Sequence, residues 1–339
     1  MPRNVDWEIP GEIQPKPGDW SFDLDRALGA VLGLRATIPE DAFTAGSLGT
    51  ERAGSAVLIR GDGLVLTIGY LVTEAETIWL TSANGGAVPG HVLAYDQETG
   101  FGLIQTLGKL NVAPLELGVG MRVGAGDQAI MAAEGGRRHA ISARVVARQE
   151  FAGYWEYVLD EAIFTAPSHP NWGGTAVIGP AGDLIGIGSL QLEKGREKGS
   201  GGHLNMVVPI DLLKPILDDL LRHGGPNRPA RPWLGFYAAE IEDRIVVIGV
   251  ADRGPAQRAG LQTGDVVLEV AGEAPGDLAG LFRRIWSLGQ AGAEIPLRIE
   301  RDGRSFDQKV ASSERNRFFK VPRVHCAGIR EFRTPSSRR

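Results

Sequence analysis

One short stretch gathers the residue types that could do chemistry: Ser168-His169-Pro170-Asn171-Trp172-Gly173-Gly174. A serine hydroxyl and an imidazole are the nucleophile and base of acyl transfer. Ser168 and His169 are neighbours in sequence, however, and adjacent side chains rarely face one another. No acid partner is evident beside them. Taken alone, the Asn171-Trp172-Gly173-Gly174 run is also what an ordinary polar loop at a strand end looks like. The histidines His91, His139 and His203 show no metal-ligand spacing. Neither a metal nor a cofactor is expected.

Composition narrows what must position this stretch. A chain of 339 residues has room for two or three domains. Its 43% apolar and 23% charged residues are ordinary for a water-soluble globular protein, and its 47 glycines favour many turns and therefore strands. A net charge of −5 gives no reason to expect nucleic acid, and the single cysteine, Cys326, excludes an intrachain disulfide. No run approaches the apolar length of a membrane span. The residues before Ala27–Leu34 are acidic where a secretory leader would be basic. The cytoplasm is therefore expected, with the periplasm as the alternative if the assigned start has missed a leader.

Residues 1–20 are Pro-rich, acidic and aperiodic and read as an extended arm. Ser21 can cap a short helix over Phe22–Leu28. From Gly54 onward short apolar runs alternate with turn signals such as Gly61-Asp62-Gly63 and Asn84-Gly85-Gly86. That grammar predicts antiparallel strands, enough for two small barrels, through Leu204–Pro209. The apolar positions Ile210, Leu213, Ile216, Leu217, Leu220 and Leu221 predict a helix over Pro209–His223. The Gly/Pro-rich residues 224–232 form a linker between a domain at 21–223 and a second one at 233–313. The second predicts strands near Gly235–Glu240, Arg244–Val250, Asp265–Ala271 and Ile295–Arg301, with helices at Pro255–Ala259 and Leu278–Leu288. Residues 314–339 read as a solvated basic tail.

This ordered pattern resembles the HtrA/Deg-type serine proteases, in which a trypsin-like double β-barrel is followed by a C-terminal PDZ domain, a mainly β architecture. The similarity covers roughly Phe22 to Ser313. It rests on Gly54-Ser55-Ala56-Val57, Val65-Leu66-Thr67, Asp96-Gln97-Glu98-Thr99, Gly124-Ala125-Gly126-Asp127, Gly182-Asp183-Leu184-Ile185-Gly186 and Leu204-Asn205-Met206-Val207-Val208-Pro209. The resemblance puts Tyr70 at the place of the catalytic histidine, Gly100 at that of the aspartate and Trp172 at that of the serine. It also puts Pro170, beside Asn171, where a glycine would donate to the oxyanion hole. A phenol is a poor base near neutrality, glycine cannot orient an imidazole, an indole cannot attack a carbonyl, and proline has no N–H. No intact catalytic set is therefore expected.

Trp233-Leu234-Gly235-Phe236 resembles the carboxylate-binding loop of PDZ domains, and Gly254–Gly272 carries the most specific part of that similarity. The resemblance implies that the C-terminal peptide segments of other proteins dock there. Their carboxylate would meet the N–H groups of Leu234, Gly235 and Phe236, and their chain would lie along Tyr237–Glu240. Leu234 and Phe236 would line a pocket for the terminal side chain, and any Cβ at Gly235 would obstruct the ligand. A homotrimer is also implied, with Trp7, Trp20 and Phe22 as candidate contacts. Three classes of function stand at this point: a non-catalytic peptide-binding scaffold or regulator, a serine endopeptidase with an unrecognised catalytic set, and a structural subunit mixed with active relatives.

Overall fold

A computed structural model of the chain describes residues 7–193 and 202–320. The first barrel begins with α1 (Leu24–Gly29), which leads into β1 (Val31–Thr37). After α2 (Ala45–Leu48) come β2 (Glu51–Leu58), β3 (Leu64–Ile68), β4 (Thr77–Ser82), β5 (Ala87–Tyr95) and β6 (Phe101–Thr106). They close in the order β1-β2-β3-β6-β5-β4. β4 shows why these residues form such a wall: Ile78, Leu80 and Ser82 point inward while Thr77 and Trp79 face solvent. That period of two is what one buried sheet face requires.

The second barrel comprises β7 (Gln128–Ala132), β8 (Ala140–Gly153), β9 (Tyr157–Ala166), β10 (Ala176–Ile178), β11 (Leu184–Glu193) and β12 (His203–Pro209), ordered β10-β11-β12-β9-β8-β7. One apolar core runs through both barrels, from Leu66 and Phe101 to Phe164 and Met206. β8 and β9 continue well past the barrel as a long hairpin, pairing as far as Gly153 with Tyr157.

α3 (Leu217–His223) then leads through a stretch without strand or helix to a separate sheet. This sheet contains β13 (Phe236–Ile241), β14 (Arg244–Val250), β15 (Val266–Val270), β16 (Glu294–Arg301) and β17 (Arg304–Ala311), with α4 (Pro255–Arg258) and α5 (Leu278–Ser287) beside it. The strands run in sequence order, which leaves β13 as an edge. α5 buries Leu278, Leu281, Phe282 and Ile285 at helical spacing, and Asp277 caps it by accepting from the Gly280 N–H at 2.6 Å. The expected mainly β architecture, a double barrel followed by a small sheet domain, is the one observed.

Several details differ from expectation, each for a local reason. Asp23, not Ser21, caps α1, accepting from the Arg26 N–H at 3.0 Å. The helix expected over Pro209–His223 splits into a 3-10 turn at Ile210–Leu212 and α3, because Pro215 supplies no N–H and disfavours helical geometry at Lys214. β17 went unrecognised because nearly all of its residues are exposed and only Val310 is buried. The N-terminal segment is no free arm: Ile9 donates to Arg138 O at 2.8 Å, Ser142 donates to Ile13 O at 2.8 Å, and Trp7 stacks on His139 at 4.4 Å. Nor are residues 314–320 a solvated tail. Phe319 packs 6.1 Å from Phe43 and 6.0 Å from Tyr95, and the Lys320 N–H donates to Glu74 Oε1 at 2.8 Å. The remainder of the expected basic tail, 321–339, lies outside the described residues.

Candidate functional site

The three positions that the resemblance assigns to a catalytic triad lie together between the barrels. Tyr70 sits in a 3-10 turn, Gly69–Leu71, directly after β3. Arg52 on β2 fixes that turn from beneath: it is buried and donates to Tyr70 O at 2.7 Å, Thr73 O at 3.0 Å and Thr44 Oγ1 at 2.8 Å. The Gly69 N–H donates to Gly100 O at 2.6 Å, tying the turn to the loop before β6. The Tyr70 hydroxyl reaches across the cleft, donates to Ser189 O at 2.8 Å and is in hydrogen-bonding reach of Trp172. Burial pushes its pKa further above the usual phenol value, so it stays protonated at any ordinary pH.

Gly100 has φ +83°, and a Cβ there would lie 3.2 Å from Tyr157 Oη. That hydroxyl in turn donates to Thr99 O at 2.8 Å. A phenol thus occupies the space beside Gly100. The Trp172 indole is half-buried against the second barrel's inner cluster around Met131 and Val177.

The loop holding Ser168 and His169 is tied down by polar contacts. His169 is fully buried; its Nε2 faces His139 O at 3.0 Å and its Nδ1 accepts from the Asn171 N–H at 3.1 Å. These contacts fit one neutral tautomer, and burial lowers the pKa, which favours that neutral form. Both ring nitrogens are therefore committed to backbone. Ser168 Oγ accepts from Gln191 Nε2 at 3.1 Å and has no contact with that imidazole among the hydrogen bonds of the described residues. Three positions around the expected oxyanion hole offer it no free donor. Pro170 has none, the Asn171 N–H turns to His169, and the Gly174 N–H donates to Gly188 O at 2.9 Å.

The second candidate site, Leu234–Tyr237, opens the sheet domain. The Leu234 N–H lies 3.2 Å from both Oε1 and Oε2 of Glu156, and the Gly235 N–H donates to Glu156 Oε1 at 2.7 Å. The Phe236 N–H dipole lies close enough to favour the ionised carboxylate as well. The loop therefore does hold a carboxylate, and the carboxylate comes from the tip of the chain's own β8–β9 hairpin. Alongside it the Ala238 N–H donates to Tyr154 O at 3.0 Å, and the Tyr237 ring meets Tyr154 edge-on at 6.0 Å.

Two expectations at this loop are corrected. The Leu234 and Phe236 side chains, 0% and 1% exposed, belong to the domain core and line no open pocket. A Cβ at Gly235, whose φ is +74°, would meet the Trp233 ring at 2.9 Å and Pro255 Cδ at 3.3 Å before any ligand. The glycine is needed by the fold itself.

Glu156 was missed by sequence reasoning. It is 5% exposed, and desolvation raises its pKa to about 7 against the pull of the Leu234, Gly235 and Phe236 N–H groups and of Arg315. The Arg315 guanidinium lines a cavity of 610 Å³ between the barrels and the sheet domain, together with Tyr95, Glu98 and Trp286. Its Nε and Nη1 have no hydrogen-bond partner among the described residues.

Comparison with known proteins agrees with both halves of the chain. Residues 54–187 match the trypsin-like peptidase domain family, and residues 232–311 match the PDZ domain family. A probable periplasmic serine endoprotease DegP-like of Pseudomonas fluorescens is 26% identical over 269 residues, covering 75% of this chain and 54% of the relative. Serine endoprotease DegS of Haemophilus influenzae is 28% identical over 241 residues, covering 66% of each. The chain thus spans about half to two thirds of these relatives. Among solved structures, the HtrA-type protease AlgW with decapeptide superposes with a TM-score of 0.51 at 21% identity, covering 86% of this chain and 97% of that one. This last likeness concerns the fold alone.

Proposed function

We propose, for a chain that carries an HtrA/Deg-type trypsin-like peptidase domain followed by a PDZ domain, that it works without peptide hydrolysis, as a scaffold or regulator that captures protein C-termini. One observation carries this reading. The three positions where a triad is expected hold Tyr70, bonded to Ser189 O, Gly100, closed over by Tyr157, and the half-buried Trp172. Loss of triad chemistry costs about 10⁶ in turnover in the best-studied case. The test is labelling of purified protein with a fluorophosphonate probe, alongside casein cleavage. Neither should exceed a heat-denatured control.

The names of the relatives, which are serine endoproteases, favour a second reading: a serine endopeptidase acting in protein quality control with a catalytic set elsewhere. Ser168 is its best candidate nucleophile. His169, with both nitrogens bonded to backbone, would first have to turn out of its pocket. Casein cleavage that is lost in Ser168→Ala would establish this reading and end the first.

Peptide capture is supported by the carboxylate already seated on the Leu234 and Gly235 amides. It is supported too by the AlgW structures, one with a tripeptide and one with a decapeptide. The relatives named as periplasmic favour that compartment over the cytoplasm. For a homotrimer, Trp7, Trp20 and Phe22 remain half-exposed and would offer only the faces left free by their own-chain contacts. Trp7 stacks on His139, Trp20 lies against Phe22 at 5.5 Å, and Phe22 packs over Gly182. Light scattering of the intact protein checks the assembly: a monomeric mass rules the trimer out.

A further inference from the structure

The β8–β9 hairpin does more than touch the PDZ domain. Its tip reproduces a bound peptide C-terminus. The Tyr154 carbonyl accepts from Ala238 on the open edge of β13, as an added strand would, at 3.0 Å. Two residues further on, the Glu156 carboxylate takes the Leu234 and Gly235 N–H groups at 3.2 and 2.7 Å. One edge hydrogen bond and carboxylate capture thus stand where strand addition and carboxylate binding would hold a free C-terminus.

Other features point the same way. Glu156 has φ +60°, a left-handed conformation that a glycine or asparagine would adopt more easily. Unlike the exposed Glu242, which shares this conformation, Glu156 holds its carboxylate buried against the loop amides. The hairpin also fills the width of the groove between β13 and α5. Ala152 and Val158 pack on the PDZ core, and Arg283 of α5 binds Glu150 and Asp160 on the two arms of the hairpin, each at 2.5 Å. These ion pairs are partly exposed, with Asp160 86% accessible, so they form a clasp of modest strength.

We infer that the Tyr154–Glu156 tip is an internal ligand of the PDZ domain, which a peptide C-terminus must displace in order to bind. The inference rests on the peptide-binding reading above and adds regulation to that site. The groove is closed in the resting chain, and occupancy by a partner is coupled to release of the hairpin from the sheet edge.

The test uses the full chain and a fluorescein-labelled hexapeptide pool ending Tyr-Trp-X, with X valine, leucine or phenylalanine, as free acid and as C-terminal amide. Anisotropy titrations compare wild type with Glu156→Gly, which removes the carboxylate and suits the left-handed backbone. Arg283→Ala, which cuts the clasp at an exposed position, is a second variant. Amide hydrogen exchange at Leu234, Gly235 and Ala238 is read in parallel. The expected result is free-acid binding tightened at least about tenfold by Glu156→Gly and about threefold by Arg283→Ala, no binding of the amide, and faster exchange in both variants. Equal free-acid affinity in wild type and Glu156→Gly overturns the inference and leaves peptide binding standing. Faster exchange without any peptide binding overturns peptide binding and the inference with it, leaving the hairpin as packing. Unchanged exchange in both variants refutes the internal ligand directly.

Discussion

The closed groove should open as pH rises, and the sign can be worked from Glu156. Its carboxyl is raised from 4.5 to about 7 in the docked state, chiefly by burial, with the loop N–H groups and Arg315 pulling the other way. The docked state therefore binds more protons than the free hairpin between these two values. Docking is fully supported below the free value and is lost as pH rises through about 7. At about 1.36 kcal/mol per pK unit, the full step is worth ~3 kcal/mol. Between about pH 5.5 and pH 8, the part of the curve accessible to a stable protein, the opening equilibrium should shift about 25-fold. Charged and titratable neighbours could add to this. Arg315 and Tyr237 face the carboxylate, and Asp96, Glu98, His223, Arg228, Arg231 and Glu314 line the adjoining cavity. The control is Glu156→Gln, which keeps the shape and removes the titration while leaving those groups in place. The measurement is free-acid peptide affinity by calorimetry at four pH values, expressed as the ratio of wild type to Glu156→Gln. A ratio that is flat, or that favours binding at acid pH, refutes the reasoning.

Further outcomes follow from the same contacts. Restoring all three expected triad residues, with Tyr70→His, Gly100→Asp and Trp172→Ser, should leave the protein unlabelled by a fluorophosphonate. The new Asp Cβ would sit 3.2 Å from Tyr157 Oη at a φ of +83°, and Pro170 would still supply no oxyanion donor. Gly235→Val should lower stability in urea by about 2 kcal/mol or more, because the side chain meets Trp233 in a left-handed backbone; an unchanged midpoint would count against that account. Asp265, whose carboxylate is fully buried, holds Arg301 through two contacts at 2.5 and 2.7 Å and accepts from the Gln262 N–H at 2.8 Å. Asp265→Ala should cost the PDZ domain about 3 kcal/mol by calorimetric unfolding, since a partner charge and a turn donor are both left unpaired.

What could be read from the sequence and what could not divide along the range of the interactions. Strands such as Arg244–Val250 were legible because their signal, apolar runs bounded by turns, is local. The convergence of Tyr70, Gly100 and Trp172 was reachable only through resemblance, since nothing local ties together positions so far apart. β17 was hidden because an exposed strand carries almost no apolar pattern. The hairpin tip was hidden for a different reason. Gly153-Tyr154-Trp155-Glu156-Tyr157 reads as an unremarkable turn, and its significance lies in a contact spanning 78 residues, from Glu156 to Leu234.

The carboxylate loop shows why a retained motif does not reveal whether its site is open. Leu234, Gly235 and Phe236 look like a preserved ligand loop in the sequence. In the structure the fold itself needs each of them: Leu234 and Phe236 are core side chains, and Gly235 gives way to the Trp233 ring. Such residues would be kept whether the groove received a partner, held its own hairpin or held nothing. What distinguishes these cases is a residue outside the motif. Here it is Glu156, a glutamate in a left-handed turn whose carboxylate is buried at the loop. Burying that charge is costly unless it is hydrogen-bonded, and the loop amides offset only part of the cost, so the docked carboxyl holds its proton up to about pH 7. The occupied state is therefore written in the hairpin, and the loop only makes it possible.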